Sequence, residues 1–166
     1  MQTKEKLLNQ FPNVCIEYDN NLNKKQKGYY ERDSFDPDGY ITLNSNYNAY
    51  ILNGVLAEEL GHHVTSYGNI MDNYSKKYNV ESARQELRAR RYGHKLIMPL
   101  EKLIECYKKG LCGSVYDICL YLEIDRSYLK EIINDYKSQF GLYIEIDGYR
   151  IEFEPLNIYK ISKGAT

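Results

Sequence analysis

Between Ile51 and Thr65 an otherwise apolar stretch carries four ionisable side chains: Glu58, Glu59, His62 and His63. The stretch reads as part of one helix from about Asn46 to Thr65, capped by Ser45 or Asn46. At about 100° per residue, Glu58 and His62 stack on one face, on the side of Ile51 and Val55. Glu59 and His63 form a second pair beside them, and Leu52, Leu56 and Leu60 continue the apolar arc. Burying carboxylates without partners costs several kcal/mol. Any fold of this chain must bring compensation to that face. A metal ion is the simplest candidate; a buried helix ion pair between Glu58 and His62 is the plainer alternative.

The rest of the sequence supplies an α+β frame for this helix. Residues 3–11 form a short amphipathic helix. Strand-like stretches follow at Val14–Tyr18, Gly28–Arg32 and Gly39–Leu43, separated by turn-rich segments. After the motif helix, residues 66–80 are polar and irregular and read as a loop. A second helix covers about Glu81–Ile97 and stops before Pro99. A third runs from Leu100 to Lys109 and ends at Gly110. Residues 1–110 thus make one domain, a small sheet packed on the motif helix. Residues 111–160 make an appendage and 161–166 a frayed tail. In the appendage, Ser114–Glu123 and Ser127–Phe140 have the look of a helix-turn-helix. A hairpin follows, Leu142–Ile146 and Tyr149–Glu154 around Asp147-Gly148.

Composition narrows the function classes. The 166 residues are 43% hydrophobic and 27% charged, as expected of a globular chain. No apolar run approaches the roughly 20 residues of a membrane span, and no signal core follows Met1, so a cytoplasmic location is expected. Cys15, Cys106, Cys112 and Cys119 form no C-x-x-C pair and read as reduced thiols rather than a zinc site. The net charge of −1 shows no basic excess for nucleic acid. Within residues 111–140, three basic residues (Arg126, Lys130, Lys137) face five acids (Asp117, Glu123, Asp125, Glu131, Asp135). Phosphate contacts need the opposite balance, so the appendage reads as a docking or stabilising element.

The chemistry of the motif helix is that of H-E-x-x-H. There two histidines hold zinc from one helix face, and the adjacent Glu is the general base of a metalloprotease. Glu58-Glu59-Leu60-Gly61-His62 matches it with a carboxylate in place of the first imidazole. Carboxylates bind zinc, but an oxygen-rich site leans toward harder metals. The alternative register, with Glu59 and His63 as ligands, would put Leu60 in the base position and gives no catalyst. His63 is then a packed core histidine or a supporting group. For a third ligand the second helix offers Glu86, pointing away from the basic stripe Arg84, Arg88, Arg91 and Lys95. His94 is the alternative; it lies two turns from Glu86, roughly 12 Å along the axis, so the two do not share one ion.

Four segments in order carry a family likeness. They are Leu56-Ala57-Glu58-Glu59-Leu60-Gly61-His62-His63, Thr65-Ser66-Tyr67-Gly68-Asn69-Ile70, Gln85-Glu86-Leu87-Arg88-Ala89-Arg90-Arg91 and Leu96-Ile97-Met98-Pro99-Leu100. Together they resemble the ImmA/IrrE metallo-endopeptidases of bacteria, phages and mobile elements, over about residues 10–110. The ending Phe153-Glu154-Pro155-Leu156 is similar to phage-type members. The resemblance implies a zincin-like fold and a zinc ion held by His62, Glu86 and the residue at position 58. It implies Glu59 as catalytic base, and a helix-turn-helix repressor as protein substrate. Glu58 stands where the family has a histidine, so another divalent metal can replace zinc.

Two other functions stay open on the sequence. One is a catalytically degenerate protein of the same fold that binds a partner without cutting it. The other is a DNA-binding regulator acting through the C-terminal helices.

Overall fold

The computed structural model describes residues 2–66 and 80–161. Six helices and six strands are found among them, in two compact units, Met1–Ile97 and Met98–Thr166. The mixed α+β layout expected from the sequence is present. The expected loop at 66–80 and the tail at 161–166 lie almost wholly outside the described residues.

In the first unit, α1 (Thr3–Gln10) precedes β1 (Cys15–Asp19), β2 (Gly28–Glu31) and β3 (Tyr40–Asn44). The sheet order is β1-β3-β2, with β1 parallel and β2 antiparallel to β3. The central strand is the most buried: Ile41, Thr42, Leu43 and Asn44 are all inside. Helix α2 (Ala49–Thr65) lies on this sheet and buries Leu52, Leu56 and Leu60. Fully burying such a side chain contributes about 1.5–3 kcal/mol. Asn48, not Ser45 or Asn46, caps α2 by accepting a hydrogen bond from the Ile51 N–H at 3.1 Å. The earlier residues are taken up by a turn in which Asn44 Oδ1 accepts from the Asn46 N–H.

Asn44 also fixes the chain before β2. Its side-chain amide donates to the carbonyls of Gln26 (2.8 Å) and Asn23 (3.3 Å). Its own N–H donates to the Lys27 carbonyl at 2.8 Å. Residues 23–28 form one wall of a cavity described below, so this buried amide shapes the site. Asn44→Ala strands those partners, and stability in urea is expected to fall by about 1–3 kcal/mol. An unchanged midpoint would show that residues 23–28 hold themselves.

Helix α3 (Val80–Ile97) packs on α2. Two glycines set the distance. A Cβ on Gly61 would lie 2.0 Å from the Ala89 carbonyl oxygen, and one on Gly93 would lie 2.7 Å from that of Ala57. Rising numbers in α2 meet falling numbers in α3, so the helices run antiparallel with their backbones in contact.

The second unit begins at Met98, whereas the sequence placed the break near residue 110. Helix α4 (Leu100–Lys108) joins it because its buried Leu103, Ile104 and Cys106 pack within that unit, which includes β6. Helices α5 (Val115–Leu122) and α6 (Arg126–Phe140) follow, capped by Ser114 and Asp125. Strands β4 (Tyr143–Ile146), β5 (Tyr149–Phe153) and β6 (Leu156–Lys160) form an antiparallel sheet in that order. Asp147 and Gly148 both take positive φ, the backbone of a tight hairpin turn. The expected hairpin is therefore extended by a third strand. Its sequence hides it: within Leu156–Lys160 only Ile158 is fully buried.

Candidate functional site

The glycine crossing decides which side chains meet. With Gly61 against Ala89 and Gly93 against Ala57, His62 comes opposite Glu86, and Glu58 comes opposite Arg90 and His94. His62 Nε2 lies 3.3 Å from a Glu86 carboxylate oxygen. The other Glu86 oxygen lies 3.3 Å from Arg90 Nη2, and Arg90 Nε lies 3.6 Å from Glu58. His94, only 1% exposed, brings a ring nitrogen within 4.8 Å of a Glu58 oxygen. Of the residues singled out from the sequence, His62 and Glu86 are thus in direct contact. Glu58 is joined to that pair through Arg90. His94 sits beside Glu58, away from the Glu86 end.

Glu59 lies one position round the helix. Its carboxyl is pushed up to about 7, mainly by burial, and the charges of Glu58 and Glu86 add to the rise. His62 and a hydrogen bond from the Tyr30 backbone N–H pull the other way. For His62, burial alone would lower the pKa. The hydrogen bond to Glu86 and the charges of Glu59, Glu86 and Glu58 outweigh it, and the net shift is upward. Glu86 is held below its ordinary value, first by its hydrogen bond with His62 and then, against burial, by the charges of His62 and Arg90. The surroundings thus favour the charged forms of Glu86 and His62 and the neutral form of Glu59. Such spread of pKa values is the pattern expected where acids and bases have divided roles.

A cavity of about 430 Å³ opens beside the two carboxyls. Glu58, Glu59 and Val55 form its α2 side; Lys25, Lys27 and Gly28 are on the facing wall. Glu59 is therefore part-buried but reachable.

His63 serves packing. Its Nδ1 lies 2.9 Å from the Tyr30 hydroxyl. Its ring meets Phe11 and Tyr30 edge-on at 6.0 and 5.5 Å. Burial, helped by Arg32, pushes its pKa down and keeps it neutral near pH 7. These contacts belong to the core between α1, β2 and α2.

Two residues escaped the sequence reading. Arg90 stands outside the basic stripe of Arg84, Arg88, Arg91 and Lys95 and received no role; its spacing of four from Glu86 is the available signal. Tyr30 serves both halves of the motif, with its backbone at Glu59 and its hydroxyl at His63. Nothing local in the sequence pairs it with α2. Comparison of the chain with protein-family models, curated proteins and solved structures finds no match to any of them.

Proposed function

We propose that this chain is a metal-dependent endopeptidase acting on a protein substrate. The observation that carries the reading is the placement of Glu59, whose carboxyl borders an open cavity beside the His62–Glu86 pair. Glu59 takes the proton of a water that attacks a peptide carbonyl, then passes it to the departing amine. The Tyr30 N–H holds the carboxylate oriented for that step.

The residues present fit a divalent cation. The donor types suit such an ion: His62 and Glu86 meet from facing helices, while the Arg90 guanidinium stands between Glu86 and Glu58, so the ligand atoms of Glu58, His62 and Glu86 do not all lie within 4.8 Å of one another. Glu58, His62 and Glu86 would hold the ion, zinc or a harder metal, and when bound it supplies Lewis acidity. The resemblance to ImmA/IrrE peptidases supports a helix-turn-helix repressor as substrate, by analogy only. Among the described residues, no helix is long and apolar enough to cross a membrane. We place the protein in the cytoplasm, in keeping with its four free thiols.

Calorimetric titration of chelator-treated protein with Zn²⁺ or Mn²⁺ tests the reading. Saturable binding is expected, weakened at least about tenfold in His62→Ala and in Glu86→Ala. Absence of binding to the unaltered protein would refute it. A partner-binding role without cleavage is the second reading. It is favoured by the Arg90 pairs, which neutralise Glu58 and Glu86 with no added ion.

A further inference from the structure

We infer that Arg90 is a competing internal cation: its guanidinium holds Glu58 and Glu86 in the metal-free protein and must withdraw before those carboxylates can share a divalent ion. This rests on the reading that Glu58 and Glu86 are ligands, and it adds a control that the reading does not contain.

The geometry carries the inference. One guanidinium reaches both acids, with Nε 3.6 Å from Glu58 and Nη2 3.3 Å from Glu86. The acids come from different helices, so the pairing is a feature of the tertiary fold. It is fixed by the Gly61 and Gly93 contacts, which bring the α3 residues Glu86 and Arg90 opposite His62 and Glu58. Arginine suits the role for two reasons. Its planar fork presents several N–H groups to two carboxylates at once, and it keeps its charge at every pH the protein meets. A histidine there would surrender its charge on titration, and a lysine would keep it but offer only a point charge in place of the fork.

The side chain also has somewhere to go. Arg90 is 46% exposed, so its stem can swing to solvent without opening the core. Its withdrawal would remove one positive charge from beside Glu58 and Glu86, whose charges also act on Glu59, and lowering the positive charge among three carboxyls favours uptake of a cation. Occupation by Arg90 and by metal are therefore mutually exclusive states of one site. The coupling makes metal affinity lower than the donor set alone would give.

Two measurements decide the matter. In the first, Zn²⁺ or Mn²⁺ is titrated into chelator-treated wild type, Arg90→Gln and Arg90→Lys. Arg90→Gln is expected to bind about tenfold more tightly than wild type, a coupling of ordinary allosteric size. Arg90→Lys, which keeps a positive charge, is expected to stay closer to wild type. Equal affinity in wild type and Arg90→Gln, or weaker binding in Arg90→Gln, overturns the inference while leaving the metal reading intact. Absence of binding in all three overturns both. The second measurement needs no substitution: the Nε–Hε NMR signal of Arg90 is followed as Zn²⁺ is added. It is expected to move to the position of a solvated arginine at saturation. A signal unmoved at saturating Zn²⁺ overturns the inference even if Arg90→Gln does not fold.

Discussion

Gly61→Ala is expected to destabilise the first unit by about 3 kcal/mol or more, the upper end of overpacking effects. The added Cβ would stand 2.0 Å from the Ala89 carbonyl oxygen and 2.8 Å from its carbon. Neither atom belongs to a flexible side chain. Relief requires α3 to move away from α2, and that motion also loosens the burial of Leu56, Leu60, Ala89 and Ile97. Gly93→Ala meets Ala57 and Glu58 backbone at 2.7–2.9 Å and is expected to cost somewhat less. Gly113→Ala is the control: nothing lies within 4 Å of its Cβ, so little change is expected. Urea midpoints for the three variants decide this. A Gly61→Ala protein as stable as the control would mean the helices do not touch where we place them.

Glu59→Gln should move activity and stability in opposite directions. Loss of the proton acceptor is expected to cost about 10²–10⁴-fold in peptide cleavage. Stability behaves otherwise. An unfolded Glu59 ionises near 4.5, whereas burial raises the folded group to about 7. Below pH 4.5 both states hold the proton and Glu59 has no effect. Between the two values the unfolded chain loses its proton while the folded chain keeps it. Stability therefore falls as pH rises toward 7 and stays lower above it, by about 3 kcal/mol at most. Glutamine removes that loss. In chelator, Glu59→Gln is expected to exceed wild type at pH 8 and to match it near pH 4.

The neighbours keep their own dependence. His62, raised, adds stability that is complete below about 6.5 and fades as pH climbs through its folded value. Glu86, lowered, adds stability that disappears as the solution turns acid. A Glu59→Gln protein weaker than wild type at pH 8 would contradict the burial account. Cleavage at the wild-type rate would remove Glu59 from catalysis.

The frame was legible where local rules govern it. Apolar spacing located α2, Pro99 marked the end of α3, and Asp147-Gly148 announced the β4–β5 turn. The i, i+4 rule put Glu58 with His62 on one face, and direction along α3 singled out Glu86. What escaped depends on contacts between distant segments. The Asn44 amide reaches back to Asn23 and Gln26, across 21 and 18 residues. Tyr30 meets His63 across 33. Arg90 looked like one charge in a polar run, because only the approach of α2 gives it Glu58 as well as Glu86. Strand β6 was missed because only Ile158 among its five residues is fully buried.

The contact of bare backbones at Gly61 and Gly93 separates two things that most sites keep entangled. The spacing of α2 and α3 is held by atoms that carry no functional group. The groups that do chemistry hang beside that contact and have no part in setting it. Side chains at positions 58, 62, 86 and 90 can therefore change, carboxylate for imidazole or guanidinium for amide, without adding an atom to the glycine contact. On such a scaffold a single substitution can alter the chemistry of the proposed site while the backbone contact that spaces the helices stays as it is.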